Sequence, residues 1–216
     1  MATSIVETRL AETARAIGCV GRLPHVRVVS DATMRLHSFN PLRPPPALVC
    51  NRDGSGDLWV VDAVVLDDGT IIHEVSHHLL RTSQGAGLYP HNDSDIDGHG
   101  PLFSALCWSL RARAGLPLPD GRKAAYDLGR GRRPRDRPAS QDEERWARRW
   151  VTRTHGGAAE ALAARAIHDY TRWVCWQARK TAARSALLPL LPLLPLLRFA
   201  IAVGAALTLP NLLAHL

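Results

Sequence analysis

Two histidines four residues apart, with a glutamate directly after the first, stand at His73-Glu74-Val75-Ser76-His77. On an α-helix, positions i and i+4 share a face, so both imidazoles can reach one cation at about 2.0–2.1 Å. Glu74 then lies near the open side of that cation, where a carboxylate can take a proton from a water the metal has acidified. Zinc lowers the pKa of such a water towards about 7, and the proton accepted by Glu74 can pass on to a leaving amine. Amide hydrolysis is the natural reaction of this set. The pattern arises by chance in roughly one chain of this composition in eighty.

A hydrolytic zinc site needs a third protein ligand and one open position. His78 points about 100° away from His77 around a helix, so it packs or faces solvent. Leu80 and Ser83 stand where a metzincin extension needs glycine and histidine. The third ligand therefore lies in the polar loop over residues 82–100 or in the helix after it, where His91, Asp93, Asp95, Asp97 and His99 are found. The alternating Asp93-Ser-Asp-Ile-Asp-Gly98 lacks the downstream glutamate of a calcium loop and reads as a solvated segment. A carboxylate that orients His73 or His77 is expected, with Asp97 and Asp62 as candidates. Tyr89, Tyr126 and His91 are candidates for stabilising a tetrahedral oxyanion, each also explicable as a structural residue. His25, His37, His155, His168 and His215 have no partner at ligand spacing.

The segment His99-Gly100-Pro101-Leu102-Phe103 follows the first motif by some twenty residues. The pair HExxH and HGPxF resembles the SprT-like family and small zincin-type metallohydrolases of actinobacteria and their phages. The resemblance covers roughly residues 60–112. It implies that His73, His77 and His99 are zinc ligands and Glu74 the general base, and that Phe103 packs the next helix onto the active-site helix. Locally the residues agree: His99 stands at a helix start, Gly100 lets the backbone pass close to a metal, and Pro101 fixes its direction. No cysteine-rich ribbon follows, so the DNA-linked proteolysis of some SprT-like proteins is not implied.

The elements that position these residues are legible in the periodicity. Residues 3–17 form an amphipathic helix stopped by Gly18. Val26–Ser30 is a short β-branched run, and Asn40–Pro46 is an extended loop. Residues 47–51 and 58–66 read as a hairpin around Asp53–Gly56, and the 58–66 strand offers an open edge to an extended peptide. Asp68 or Thr70 caps a helix running to about Leu80, and Pro101 opens another over 102–114. The fold class is α+β: a minimal zincin-like domain over residues 1–115, with an N-terminal helix, a small antiparallel sheet, the HExxH helix and a following helix. Residues 116–141 read as a basic Pro/Gly/Arg linker, 142–185 as a helical segment broken at Gly156-Gly157, and 186–216 as an apolar Pro/Leu-rich tail.

Charge divides the chain in two. Met1–Leu110 holds 8 basic and 12 acidic residues, whereas Arg111–Arg184 holds 18 basic and 8 acidic. The arginines from Arg130 to Arg153 suit an anionic partner, nucleic acid or lipid, or else a solvated linker. Trp146, Trp150, Trp173 and Trp176 have spacings that bury a helix face or mark a membrane interface. The tail is long enough for a bilayer, but Pro189, Pro192, Pro195 and Arg198 interrupt it, so a kinked or re-entrant membrane association is expected. Cys19, Cys50, Cys107 and Cys175 are scattered without a CxxC pair, which excludes a zinc ribbon and a disulfide scaffold and makes a reducing compartment the default. The N-terminus lacks the pattern of a secretory signal, so the expected location is cytoplasmic, with membrane association through residues 186–216. The expected function is zinc-dependent hydrolysis of a peptide or protein. The alternative is a non-catalytic metal-stabilised module that tethers nucleic acid or membrane through its basic half.

Overall fold

The structure, a computed structural model, describes residues 2–37, 47–50, 57–61, 66–83, 99–129, 139–153 and 156–187. It forms two compact units, Met1–Asp169 and Tyr170–Leu216.

In the first unit, α1 (Ala2–Ala16) buries Val6, Leu10 and Ala14, which recur at helical spacing, and Ile17 is buried just beyond its end. Gly18 stops it at φ 74°, which lets Cys19 N donate to Ala14 O at 2.9 Å. Strand β1 (Val26–Val29) leads into α2 (Asp31–His37), where the Ser30 hydroxyl accepts from Thr33 N at 3.1 Å as an N-cap. Strands β2 (Ala47–Cys50) and β3 (Asp57–Val61) follow.

β2 and β3 pair antiparallel, Ala47 opposite Val60 and Cys50 opposite Asp57, as the hairpin reading requires. β1 pairs with β3 in parallel, Val26 opposite Leu58, so the sheet is mixed rather than antiparallel. Its order is β1-β3-β2. β3 is therefore the central strand, and along its described residues Asp57–Val61 the expected open edge is not found: both sides carry ladder partners. The partner of β1 lies some thirty residues away, and no local pattern announces such a pairing.

Helix α3 (Asp68–Ser83) carries the histidine motif and buries Ile71, Ile72, Val75 and Leu79. Its cap is Asp67, one residue earlier than expected. Asp67 Oδ1 accepts from Thr70 N at 2.8 Å and Oδ2 from Thr70 Oγ1 at 3.0 Å, while Asp68 binds Arg9 at 2.9 Å and Thr13 at 3.2 Å on α1. Helix α4 (Pro101–Arg113) is the centre of the unit, with every residue from Leu102 to Arg111 buried. It packs on α3, on α5 (Gly121–Asp127) and on α6 (Gln141–Thr152). α5 lies within the stretch expected to be a linker. It buries Ala124 and Asp127, with Leu128 just beyond, so part of that stretch belongs to the core.

α6 starts at a capping box in which the Ser140 hydroxyl accepts from Glu143 N and Ser140 N donates to the Glu143 carboxylate. Trp146 and Trp150 are buried on one face of it, rings 6.4 Å apart. α7 (Ala159–Leu187) begins after the break expected at Gly156-Gly157, and its first three turns bury Ala159, Leu162, Ala163 and Ala166. Arg113 at the end of α4 donates to Ile17 O and Gly157 O, tying two helix-to-loop junctions together. In the second unit, α7 continues from Tyr170 to Leu187. Among the described residues no helix is long and apolar enough to cross a membrane. Of the tail expected over 186–216, residues 186–187 end α7 and 188–216 lie outside the described residues, as do Arg130–Arg137 and Asp62.

Candidate metal centre

One turn of α3 separates His73 from His77, and the start of α4 brings His99 against both. His99 Nε2 lies 2.9 Å from His73 Nε2 and 3.1 Å from His77 Nε2. Hydrogen bonding alone does not satisfy this arrangement. A ring nitrogen has one hydrogen or one lone pair, so His99 Nε2 cannot make two full bonds to two other ring nitrogens. Three nitrogens about 2.05 Å from one tetrahedral ion would lie about 3.3 Å apart, close to the separations found. The three histidines thus form a group able to hold a metal ion, with ligand atoms all within 4.8 Å of one another.

Phe103, one turn into α4, is the floor of this group. Its ring stacks on His77 at 4.3 Å and meets His73 and His99 at 4.8 and 4.7 Å. The ring is itself buried, so one core residue limits the tilt of all three imidazoles and packs α4 onto α3 as expected. Gly100 N donates to Asp127 O at 3.0 Å, and Gly100 O accepts from Ser104 N at 2.8 Å, which fixes the chain as it passes from His99 into α4. Gly129 has φ 72°, and a Cβ there would lie 3.3 Å from the His99 carbonyl. The turn after α5 can approach the histidine backbone this closely because residue 129 has no side chain.

The carboxylate facing one of these three histidines is Asp127. Its Oδ1 is 3.6 Å from His73 Nδ1, and its Oδ2 accepts from the Trp108 indole Nε1 at 2.8 Å. Asp127 is 2% exposed and Trp108 fully buried, so the contact works at low dielectric. A carboxylate here favours the His73 tautomer with hydrogen on Nδ1 and the Nε2 lone pair turned towards the other two rings. The candidates Asp62 and Asp97 lie outside the described residues, and Asp127 was not singled out from the sequence. Its one sequence signal is the short helix-and-stop Ala124-Ala-Tyr-Asp-Leu-Gly129, an apolar island in a basic, proline-rich stretch.

Glu74 is buried on α3, one residue beyond His73. Tyr126 is 42% exposed, its ring 4.8 Å from that of His99 and 6.1 Å from that of His73, so one of the three oxyanion candidates stands beside the group. Tyr89 and His91 lie outside the described residues, with Asp93, Asp95 and Asp97. His78 is buried with Nε2 2.8 Å from Arg22 O, a structural contact on the other side of the helix. His25 and His168 are exposed and are not members of the group. Comparison with family models, with curated proteins and with solved structures finds no match.

Proposed function

We propose that the protein is a metal-dependent amide hydrolase acting on peptide or protein, with His73, His77 and His99 as metal ligands and Glu74 as proton acceptor. The observation that carries this reading is the convergence of three imidazole nitrogens from α3 and α4 within about one tetrahedral ion's reach; Glu74, one residue after His73 on α3, is buried. A divalent ion bound there supplies Lewis acidity and a water acidic enough to ionise near neutral pH. Zinc suits three neutral imidazoles in a tetrahedral set, and this is the ion proposed.

The chain's own residues supply the rest. His73 and His77 sit one helical turn apart on one face, so their spacing is held by the backbone hydrogen bonds of α3. His99 is held by the Gly100–Asp127 bond and by Phe103. Glu74 is the group proposed to accept a proton and return it to the leaving amine. Tyr126, whose ring lies 4.8 Å from that of His99, is the group proposed to donate a hydrogen bond to developing negative charge. An extended peptide can add to an outer edge of the sheet, and of the two edges β2 is the one packed against α3.

The test combines metal analysis with degradation of an unstructured protein such as casein. Wild type is expected to hold one zinc per chain and to be inactivated by chelator. Glu74→Gln is expected to keep the zinc and lose at least a hundred-fold in rate; His99→Ala is expected to lose both. A Glu74→Gln protein as active as wild type, or a His99→Ala protein with undiminished zinc, overturns the proposal.

A further inference from the structure

We propose that the second half of α7, from Tyr170 onward, is a membrane-surface element that docks on anionic lipid headgroups. Its two halves differ sharply. The first buries an alanine- and leucine-lined stripe, whereas none of the described residues from Tyr170 to Ser185 is buried. An exposed helix of a water-soluble domain is ordinarily polar with charges of both signs. This one carries Trp173, Val174 and Trp176, the last 54% exposed. Tyr170 and Trp173 stack at 5.9 Å, and Lys180 Nζ sits 4.9 Å from the centre of the Trp176 ring.

The charge is of one sign only. After Asp169 the chain has no aspartate or glutamate, while Arg172, Arg179, Lys180, Arg184 and Arg198 remain. The segment therefore combines cations on long apolar stems with amphipathic rings, the pair of features that suits a headgroup layer. Ammonium and guanidinium groups meet lipid phosphates while their stems and the indoles lie against acyl carbon. The sequence that follows decides between lipid and nucleic acid as the anion. Residues 188–216 contain twelve leucines and a single fixed charge, a composition that nucleic acid cannot cover and acyl chains can. This inference is independent of the metal centre.

Cell-free synthesis of the full chain in the presence of vesicles, followed by flotation, tests it. Vesicles of phosphatidylcholine alone are compared with an equal mixture of phosphatidylcholine and phosphatidylglycerol, with and without added salt. Wild type is expected to float with the mixed vesicles, far less with neutral ones, and to be released as salt rises. The triple variant Arg179→Gln/Lys180→Gln/Arg184→Gln is expected to bind on the order of a hundred-fold more weakly, since each surface cation contributes about five-fold. Equal flotation of wild type on both vesicle types overturns the proposal, and so does its release by competing double-stranded DNA. A triple variant that floats like wild type overturns it as well. Should the variant misfold, the lipid and salt dependence of wild type still decides.

Discussion

Asp127→Asn is the substitution that best separates a metal centre from a chance meeting of histidines. The carboxylate is 2% exposed and has two opposed tasks, accepting from Trp108 Nε1 at 2.8 Å and facing His73 Nδ1 at 3.6 Å. An amide of the same shape cannot do both. With its oxygen on the indole, its NH2 faces His73 Nδ1 and favours the tautomer that carries hydrogen on Nε2, the atom proposed to bind the metal. With its oxygen on His73, two N–H donors meet at Trp108, which leaves a buried donor unpaired at about 1–3 kcal/mol. Loss of such an orienting carboxylate weakens metal binding by about 10–100-fold, or about 1.4–2.7 kcal/mol. Zinc affinity is measured by competition with a chromophoric chelator, and Trp108 fluorescence reports the local change in parallel. Thermal unfolding of the metal-free proteins measures separately what the indole bond alone is worth. Zinc affinity within two-fold of wild type, in a variant that folds normally, would refute the assignment of His73 as an oriented ligand.

Two further outcomes follow from groups away from the centre. The Asp67 carboxyl is pushed up by burial, but hydrogen bonds from Thr70, the Lys123 ammonium and the Gly69 N–H outweigh this and hold it below its ordinary value. Its capping contribution is therefore fully present above about pH 4 and is lost as pH falls through the lowered value, and Asp67→Ala should cost about 1 kcal/mol in urea unfolding at pH 7 but little in strong acid. An equal cost at both pH values would contradict it. The thiols should differ in reactivity: burial, then the hydrogen bond and charge of Glu160, push Cys19 up to about 12, burial pushes Cys107 up further, and Cys175 is exposed. Of these three, Cys175 alone should be alkylated rapidly by iodoacetamide at pH 8, read by peptide mass mapping; rapid labelling of Cys19 would show that the Glu160 contact is not maintained.

Helical spacing and caps are local properties, and they placed the longer helices, though not α2 or α5. α1, α3, α4 and the α6–α7 break follow from apolar periodicity, from Pro101 at a first turn and from paired glycines, because each signal lies within a few residues of what it directs. Even there a competing contact moved one boundary: Asp68 was free to cap α3, but its carboxylate is taken by Arg9 and Thr13, and Asp67 does the capping. The parallel seat of β1, by contrast, is a pairing across thirty residues. It converted β3 from an edge into the centre of the sheet.

By itself the sequence picked out the three histidines that the structure brings together. His73 and His77 are on one face because a helix has 3.6 residues per turn, and the HGPxF segment singled out His99. Only the tertiary structure decided what steadies them. Asp127 comes from a stretch whose composition reads as linker, and it meets His73 through the docking of α5 on α4 and the buried Trp108 indole. A 3.6 Å approach of this kind depends on where two separate helices pack, and nothing in the residues flanking either partner encodes the distance between them.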